Sequence, residues 1–200
     1  MIIVLDYGVG NLASIVNMFR SAGATVRASS SAEDVLAAER LILPGVGHFD
    51  HGMRMLNRSG LRDALEESAF VQRKPVLGIC LGAQMLGRAS EEGTEPGLGW
   101  IDMSVRRLPG GAGVRIPHMG WNQLTLKQES SLFMGMSNDA RFYFVHSFFM
   151  ACDDPAAVVA TTTHGVEFTC AVQRENIAGV QFHPEKSLRH GLALLRNFAS

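Results

Sequence analysis

Apolar residues come in short blocks along the first half of the chain, and the spacing within successive blocks alternates between two kinds. Ile2–Leu5 is an unbroken apolar run, as in a strand buried on both faces. Asn11 stands as a cap ahead of Leu12, Ile15, Val16 and Phe19, which recur at helical spacing until Gly23 stops them. Thr25–Arg27 predicts a strand. Ser31–Ala38 predicts a short helix, with Ser31 three residues ahead of Asp34 as a cap-like pair. Leu41–Leu43 predicts a strand ending in Pro44-Gly45. Ser59 is placed to cap a helix through Leu61, Ala64, Leu65 and Ser68. Pro75 opens the apolar run Val76–Ile79, and a helix follows from Leu81.

The second half reads differently. Met103–Leu108, Gln123–Leu126, Phe142–Val145, Ala157–Thr161 and Phe168–Val172 predict strands, and Arg174-Glu175-Asn176 a turn into Ile177–Phe182. A closing helix carries Leu188, Leu192 and Leu195 on one face. Strand–helix alternation followed by a run of strands predicts one α/β domain: a mostly parallel sheet flanked by helices, with an antiparallel addition.

Composition narrows the classes. With 200 residues, 46% of them hydrophobic, the chain can bury one sizeable core. The 18 basic and 19 acidic residues give a net charge of −1, and no basic cluster makes a nucleic-acid footprint. The N-terminus lacks the basic and long apolar regions of a signal peptide, and no apolar run is long enough to span a membrane. Cys80, Cys152 and Cys170 form no C-x-x-C pair, and an odd count of this kind fits a reducing cytoplasm.

Of the three cysteines, Cys80 alone has a chemical setting. Gly78-Ile79-Cys80-Leu81-Gly82 joins an apolar strand to a helix with the Gly-x-nucleophile-x-Gly spacing of a nucleophile elbow. The sharp turn crowds the positions two either side, and glycines relieve it. The helix start favours negative charge on the sulfur and offers the Leu81 N–H to an oxyanion. Cys152 and Cys170 have neither elbow nor base nearby and read as packed core residues. The spacing by itself also suits other hydrolases.

A base lies further on. Gly179-Val180-Gln181-Phe182-His183-Pro184-Glu185 ends a late strand, and Pro184 biases His183 toward extended geometry. On an extended chain positions i and i+2 share a face, so Glu185 is expected to orient His183 toward Cys80. After Leu41–Leu43, Pro44-Gly45-Val46-Gly47 can turn its N–H groups inward, which makes Val46 N–H a candidate second oxyanion donor. His48 and His51 lie near Asp50 but have no third or fourth metal ligand, and read as a surface loop. Gly110-Gly111-Ala112-Gly113 lacks the Gly-Lys-Ser/Thr ending of a phosphate loop and reads as a connection between strands.

Together these segments resemble the class I (triad) glutamine amidotransferases. Finer features resemble the glutaminase subunits of imidazole glycerol phosphate synthase: Asp6-Tyr7-Gly8-Val9-Gly10-Asn11-Leu12, Pro44–Phe49, Gly78–Leu86, Ile116-Pro117-His118-Met119-Gly120-Trp121-Asn122, Tyr143–Ser147 and Gly179–Ser187. The resemblance runs in order through essentially the whole chain. It implies one glutamine amidotransferase domain over residues 1–200, with a three-layer fold whose mostly parallel central sheet is accompanied by a smaller antiparallel one. It implies that Cys80, His183 and Glu185 hydrolyse glutamine through a thioester, with no metal or cofactor. Ammonia would pass to a cyclase partner, a (β/α)8 barrel, in a heterodimer. There it would react with a phosphoribulosyl-formimino-carboxamide nucleotide to make imidazole glycerol phosphate and an aminoimidazole carboxamide ribotide.

The resemblance also places Gly47, Gln84 and Glu92 on the glutamine substrate, with Ser147 on its carboxylate. Asn11, Trp121, Tyr143 and Lys186 fall toward the partner. It implies weak activity alone and stimulation when the partner holds its ligand. One departure is visible: Phe148 and Phe149 stand where relatives often carry tyrosines.

Overall fold

The computed structural model describes every residue except Ala112 and Asn138. The glycine-rich connection at 110–113 therefore lies partly outside the described residues. The first half follows the expected alternation: β1 (Ile2–Leu5), α1 (Leu12–Ser21), β2 (Val26–Ser29), α2 (Ala32–Ala37), β3 (Arg40–Leu43), α3 (Phe49–Arg58), α4 (Arg62–Glu66), β4 (Val76–Ile79) and α5 (Leu81–Met85). Then come β5 (Met103–Arg107), β6 (His118–Gln123), β7 (Thr125–Leu126), β8 (Arg141–His146), β9 (Phe148–Cys152), β10 (Val158–His164), β11 (Val166–Arg174), β12 (Ile177–Val180) and α6 (Leu188–Ala199).

Among the described residues the main sheet runs β2-β1-β3-β4-β12-β11-β10-β7. From β2 to β12 every pairing is parallel, and beyond β12 every pairing is antiparallel. The antiparallel β9 joins β5 to β11, and β6 and β8 make a separate antiparallel pair. The period-2 geometry of a strand explains the unbroken apolar runs. Ile3 and Leu5 of β1 enter one core with Val35, Phe49, Met53 and Leu65, while Ile2 and Val4 enter the other with Ile15, Phe19, Leu194 and Phe198. Helices thus cover both faces of the parallel half, a three-layer arrangement. No helix among the described residues is long and apolar enough to cross a membrane.

Three local expectations are corrected. Residues 48–51 do not form a surface loop: His48 caps α3 through Nδ1 on the Asp50 N–H, and Phe49, Met53 and Leu56 bury one face of that helix. Ser59 ends α3 instead of opening the next helix; its hydroxyl donates to the Leu56 carbonyl and accepts from the Leu61 N–H. The buried face of α6 is Gly191, Leu194, Leu195 and Phe198, while Leu188 is exposed at the start of the helix, where its φ of +47° keeps it off the helical pattern.

Candidate active site

The parallel strands aim their carboxyl ends at one edge, and the candidate site lies there. Cys80 follows β4 with φ 54° and ψ −110°, a strained conformation for a residue with a side chain. Its N–H donates to the Val180 carbonyl at 2.8 Å, and its carbonyl accepts from the Ala83 and Gln84 N–H groups at 3.1 Å. The residue is thus held from both sides. The flanking glycines are required by close approach: a Cβ on Gly82 would lie 1.9 Å from the Leu43 carbonyl oxygen, and one on Gly78 2.7 Å from Ala83 Cα.

The loop after β3 packs directly on this elbow. A Cβ on Gly45 would meet the Gly82 nitrogen at 2.6 Å, and Gly47 turns the chain with φ +94°. That contact sets Val46 beside Leu81, the first residue of α5, whose N–H has no helical carbonyl to bond. Tyr7, unforeseen in the sequence, braces the same loop. Its buried hydroxyl donates to the Pro44 carbonyl and lies 3.7 Å from Met85 Sδ. Burial, and then the charge of Cys80, push this phenol well above the usual tyrosine range.

His183 reaches the site from the far end of β12, its N–H bonded to the Tyr143 carbonyl at 2.9 Å. The extended path expected for Glu185 is not found; Pro184 instead starts a 3-10 turn over Pro184–Lys186. The turn still brings Glu185 Oε1 to 2.8 Å from His183 Nδ1. Burial disfavours a charged His183, but hydrogen bonds and charge at Cys80 and Glu185 outweigh it and raise the imidazole to about 10. Glu185 Oε2 is buried without a hydrogen-bond partner among the described residues.

A cavity of about 330 Å³ opens over Cys80 and His183, within the range of small-molecule sites. Its walls include Val46, Gly47, Leu81, Gln84, Glu92 and Ser147 from the sequence reading, and also Lys186. Glu92 is separated from its neighbour: Glu92 Oε2 accepts from Phe49 N–H at 2.9 Å, whereas Glu91 turns to the Arg107 N–H. Asp50 seats this loop by accepting from the Thr94 and Glu95 N–H groups, each at 2.9 Å to Oδ1. Gln84 is buried, its nitrogen bonded to the Phe148 carbonyl and to Gln181 Oε1, each at 3.0 Å. Phe148 therefore contributes its backbone oxygen, and its ring lies under the Arg107 guanidinium at 5.8 Å.

His146 also lines the cavity. Its Nδ1 lies 2.7 Å from the Phe148 carbonyl, so Nδ1 carries the proton and Nε2 accepts from His118 Nδ1 at 3.0 Å. Burial, with neighbouring histidine charge, holds His118 down at about 4 and His146 at about 3, which keeps the pair neutral at pH 7. Among the described residues no group of three or more His, Cys, Asp or Glu is placed to hold a metal ion.

Of the residues assigned toward a partner, three gather in one patch beside the cavity. Trp121 and Tyr143 are cross-strand partners on β6 and β8 with rings edge-on at 5.9 Å, and Lys186 Nζ sits over the Tyr143 ring at 5.9 Å. Asn11 stands at the start of α1, where its side-chain oxygen caps the Ser14 N–H.

A mostly parallel α/β sheet with a cysteine elbow facing a His–Glu pair is the arrangement of class I glutamine amidotransferases. The family model described as "Glutamine amidotransferase class-I" matches residues 3–200. The chain is 52% identical over 198 residues to imidazole glycerol phosphate synthase subunit HisH 2 of Pseudomonas aeruginosa, covering 99% of this chain and 98% of that one. It is 47% identical to subunit HisH of Bdellovibrio bacteriovorus, covering 100% and 99%. Among solved structures, a crystal structure of a glutamine amidotransferase superposes with TM-score 0.74 at 18% identity, covering 98% of this chain and 96% of that one. The structure of PurLQS from Thermotoga maritima gives 0.71, also at 18% identity, covering 98% and 96%. The chain belongs to the class I glutamine amidotransferase family and, within it, to the HisH subunits of imidazole glycerol phosphate synthase.

Proposed function

We propose that this chain is the glutaminase subunit of an imidazole glycerol phosphate synthase in histidine biosynthesis, with Cys80 as nucleophile, His183 as proton carrier and Glu185 as its orienter. The observation that carries the reading is Cys80 at positive φ on the elbow beside His183, with His183 bonded to buried Glu185. The Cys80 sulfur attacks the side-chain carboxamide carbon of glutamine, forming a C–S bond. The Leu81 and Val46 N–H groups face the oxyanion. The C–N bond breaks as imidazolium His183 gives its proton to the amide nitrogen, which leaves as ammonia. Neutral His183 then takes a proton from water, whose oxygen attacks the thioester, and glutamate leaves as the sulfur recovers its electron pair.

Glutamine enters as a zwitterion. Glu92 and the Gln84 side-chain oxygen suit its ammonium, Ser147 its carboxylate, and Gly47 lets it approach the backbone. The Gln84 nitrogen is committed to Phe148 and Gln181, which leaves the oxygen as the group able to accept from an ammonium.

The exposed Trp121 and the adjoining Tyr143 and Lys186, with Asn11, form the surface that meets the partner. That partner is a (β/α)8-barrel cyclase, which consumes the ammonia in making imidazole glycerol phosphate. In the reconstituted heterodimer, Cys80→Ala abolishes glutamate release while the partner still turns over with ammonium salts. Glutamate release that survives Cys80→Ala refutes the reading.

A further inference from the structure

A second amide reaches the nucleophile. Gln181 is fully buried just past the end of β12, two residues before His183. Its Nε2 donates to Cys80 Sγ at 3.8 Å, and its Oε1 accepts from Gln84 Nε2 at 3.0 Å. A wholly buried carboxamide costs free energy unless its groups are paired, and both of its ends are paired here.

The direction of these bonds is fixed by the Phe148 carbonyl. A carbonyl oxygen only accepts, so the Gln84 group facing it must be the NH2. The second Gln84 hydrogen then meets the Gln181 oxygen, which turns the Gln181 NH2 toward sulfur. The same carbonyl accepts from His146 Nδ1, so both of its lone pairs are filled and the relay has a fixed origin.

We propose that Gln181 is a further catalytic residue, donating a hydrogen bond to the Cys80 sulfur, and that Gln84 positions it. The inference rests on Cys80 being the nucleophile. A thiol or thioester sulfur accepts weakly, whereas an anionic sulfur accepts strongly. The bond is therefore strongest when the sulfur attacks and again when the thioester breaks and the sulfur departs with the electron pair. Gln181 favours both charge-bearing stages over the neutral thioester between them.

The test is alkylation of Cys80 by iodoacetamide in the full chain at pH 7, comparing wild type, Gln181→Met and Gln181→Glu. Met keeps the volume and removes the donor; Glu keeps an acceptor for Gln84 but turns an oxygen to the sulfur. Alkylation slows about 10-fold in Gln181→Met, the low end for a hydrogen bond to a charged group because of the long reach to sulfur, and further in Gln181→Glu. Equal rates in all three overturn the proposal.

A measurement on unsubstituted protein guards against misfolded variants. The side-chain amide resonances of Gln181 shift when Cys80 is carbamidomethylated; resonances that stay in place overturn the proposal. The underlying reading is tested separately by the wild-type adduct. Glutamate release that persists after complete Cys80 alkylation refutes the nucleophile assignment, whereas lost release with unaffected Gln181 variants refutes only the role of Gln181.

Discussion

The Tyr7 hydroxyl donates to the Pro44 carbonyl, tying the segment after β1 to the loop that packs on the cysteine elbow. Both groups are buried, so removing the donor strands a carbonyl in an apolar setting. Tyr7→Phe is expected to cost about 1–3 kcal/mol in stability, read by urea denaturation. Because the loop carries Val46, kcat should fall more than KM changes. Unaltered kcat in a variant with the expected stability loss would restrict Tyr7 to a packing role.

The elbow glycines make a sharper contrast. A Cβ at Gly82 would overlap the Leu43 carbonyl, which belongs to the sheet and has no room to shift, whereas a Cβ at Gly110 meets nothing within 4 Å. Gly82→Ala should fail to accumulate as folded protein or lose more than about 3 kcal/mol, while Gly110→Ala stays within about 0.5 kcal/mol of wild type. Thermal melts of the two variants side by side check this. Comparable melting temperatures would mean that the approach of α5 to β3 is looser than the structure has it.

Much of the frame was legible because it is local. Buried parallel strands show as apolar runs, and the elbow shows as two glycines around a cysteine. The helix α3 was missed because half of Phe49–Arg58 is polar and it contains Gly52, which reads as a breaker. Its meaning is tertiary, since a Cβ there would lie 3.0 Å from Leu81 Cδ2 and from Met85 Sδ. β6 and β9 escaped because their pairing depends on strands far along the chain. Within the site, the bracing role of Tyr7 had no local signal, since its partner lies 37 positions away. Gln181 did carry a local signal, a polar residue two positions before His183 in an otherwise apolar strand. The Glu185 contact was expected from an extended chain but is made by a turn, which the intervening proline equally permits.

Asp50 tests whether the loop bearing Glu92 serves the substrate. Its carboxylate takes the Thr94 and Glu95 N–H groups, with the Glu95 bond the largest influence holding its pKa below the usual carboxylate range despite the opposing cost of burial. A depressed carboxylate contributes stability above its ordinary pKa and loses it as pH falls through the folded value. Asp50→Ala frees the loop without touching Cys80, His183 or Glu185. KM for glutamine should rise about 5-fold, roughly the worth of one hydrogen bond, with kcat changed less than about 2-fold. Steady-state kinetics of the heterodimer decide it; a fall confined to kcat would contradict a substrate-seating role.

The pairing of buried His183 with Cys80 and then Glu185 makes stability depend on pH in a definite direction. In the folded chain His183 holds its proton up to about 10, against an unfolded value of about 6.5. The folded state therefore binds the proton more tightly. Its contribution is fully present below about pH 6.5 and is lost as pH rises through about 10. Glu185→Gln removes the charge that helps hold the proton, so the folded value falls and the loss comes earlier and is smaller. Melting temperatures from about pH 6 to about pH 11 should decline more steeply for wild type than for Glu185→Gln, converging above about pH 10, where His183 loses its proton in both. Parallel curves would show that the proton is not shared in this way. The same variant should lose at least about 10²-fold in kcat, the low end for a group supporting general acid–base catalysis, because an amide neither holds nor compensates the imidazolium.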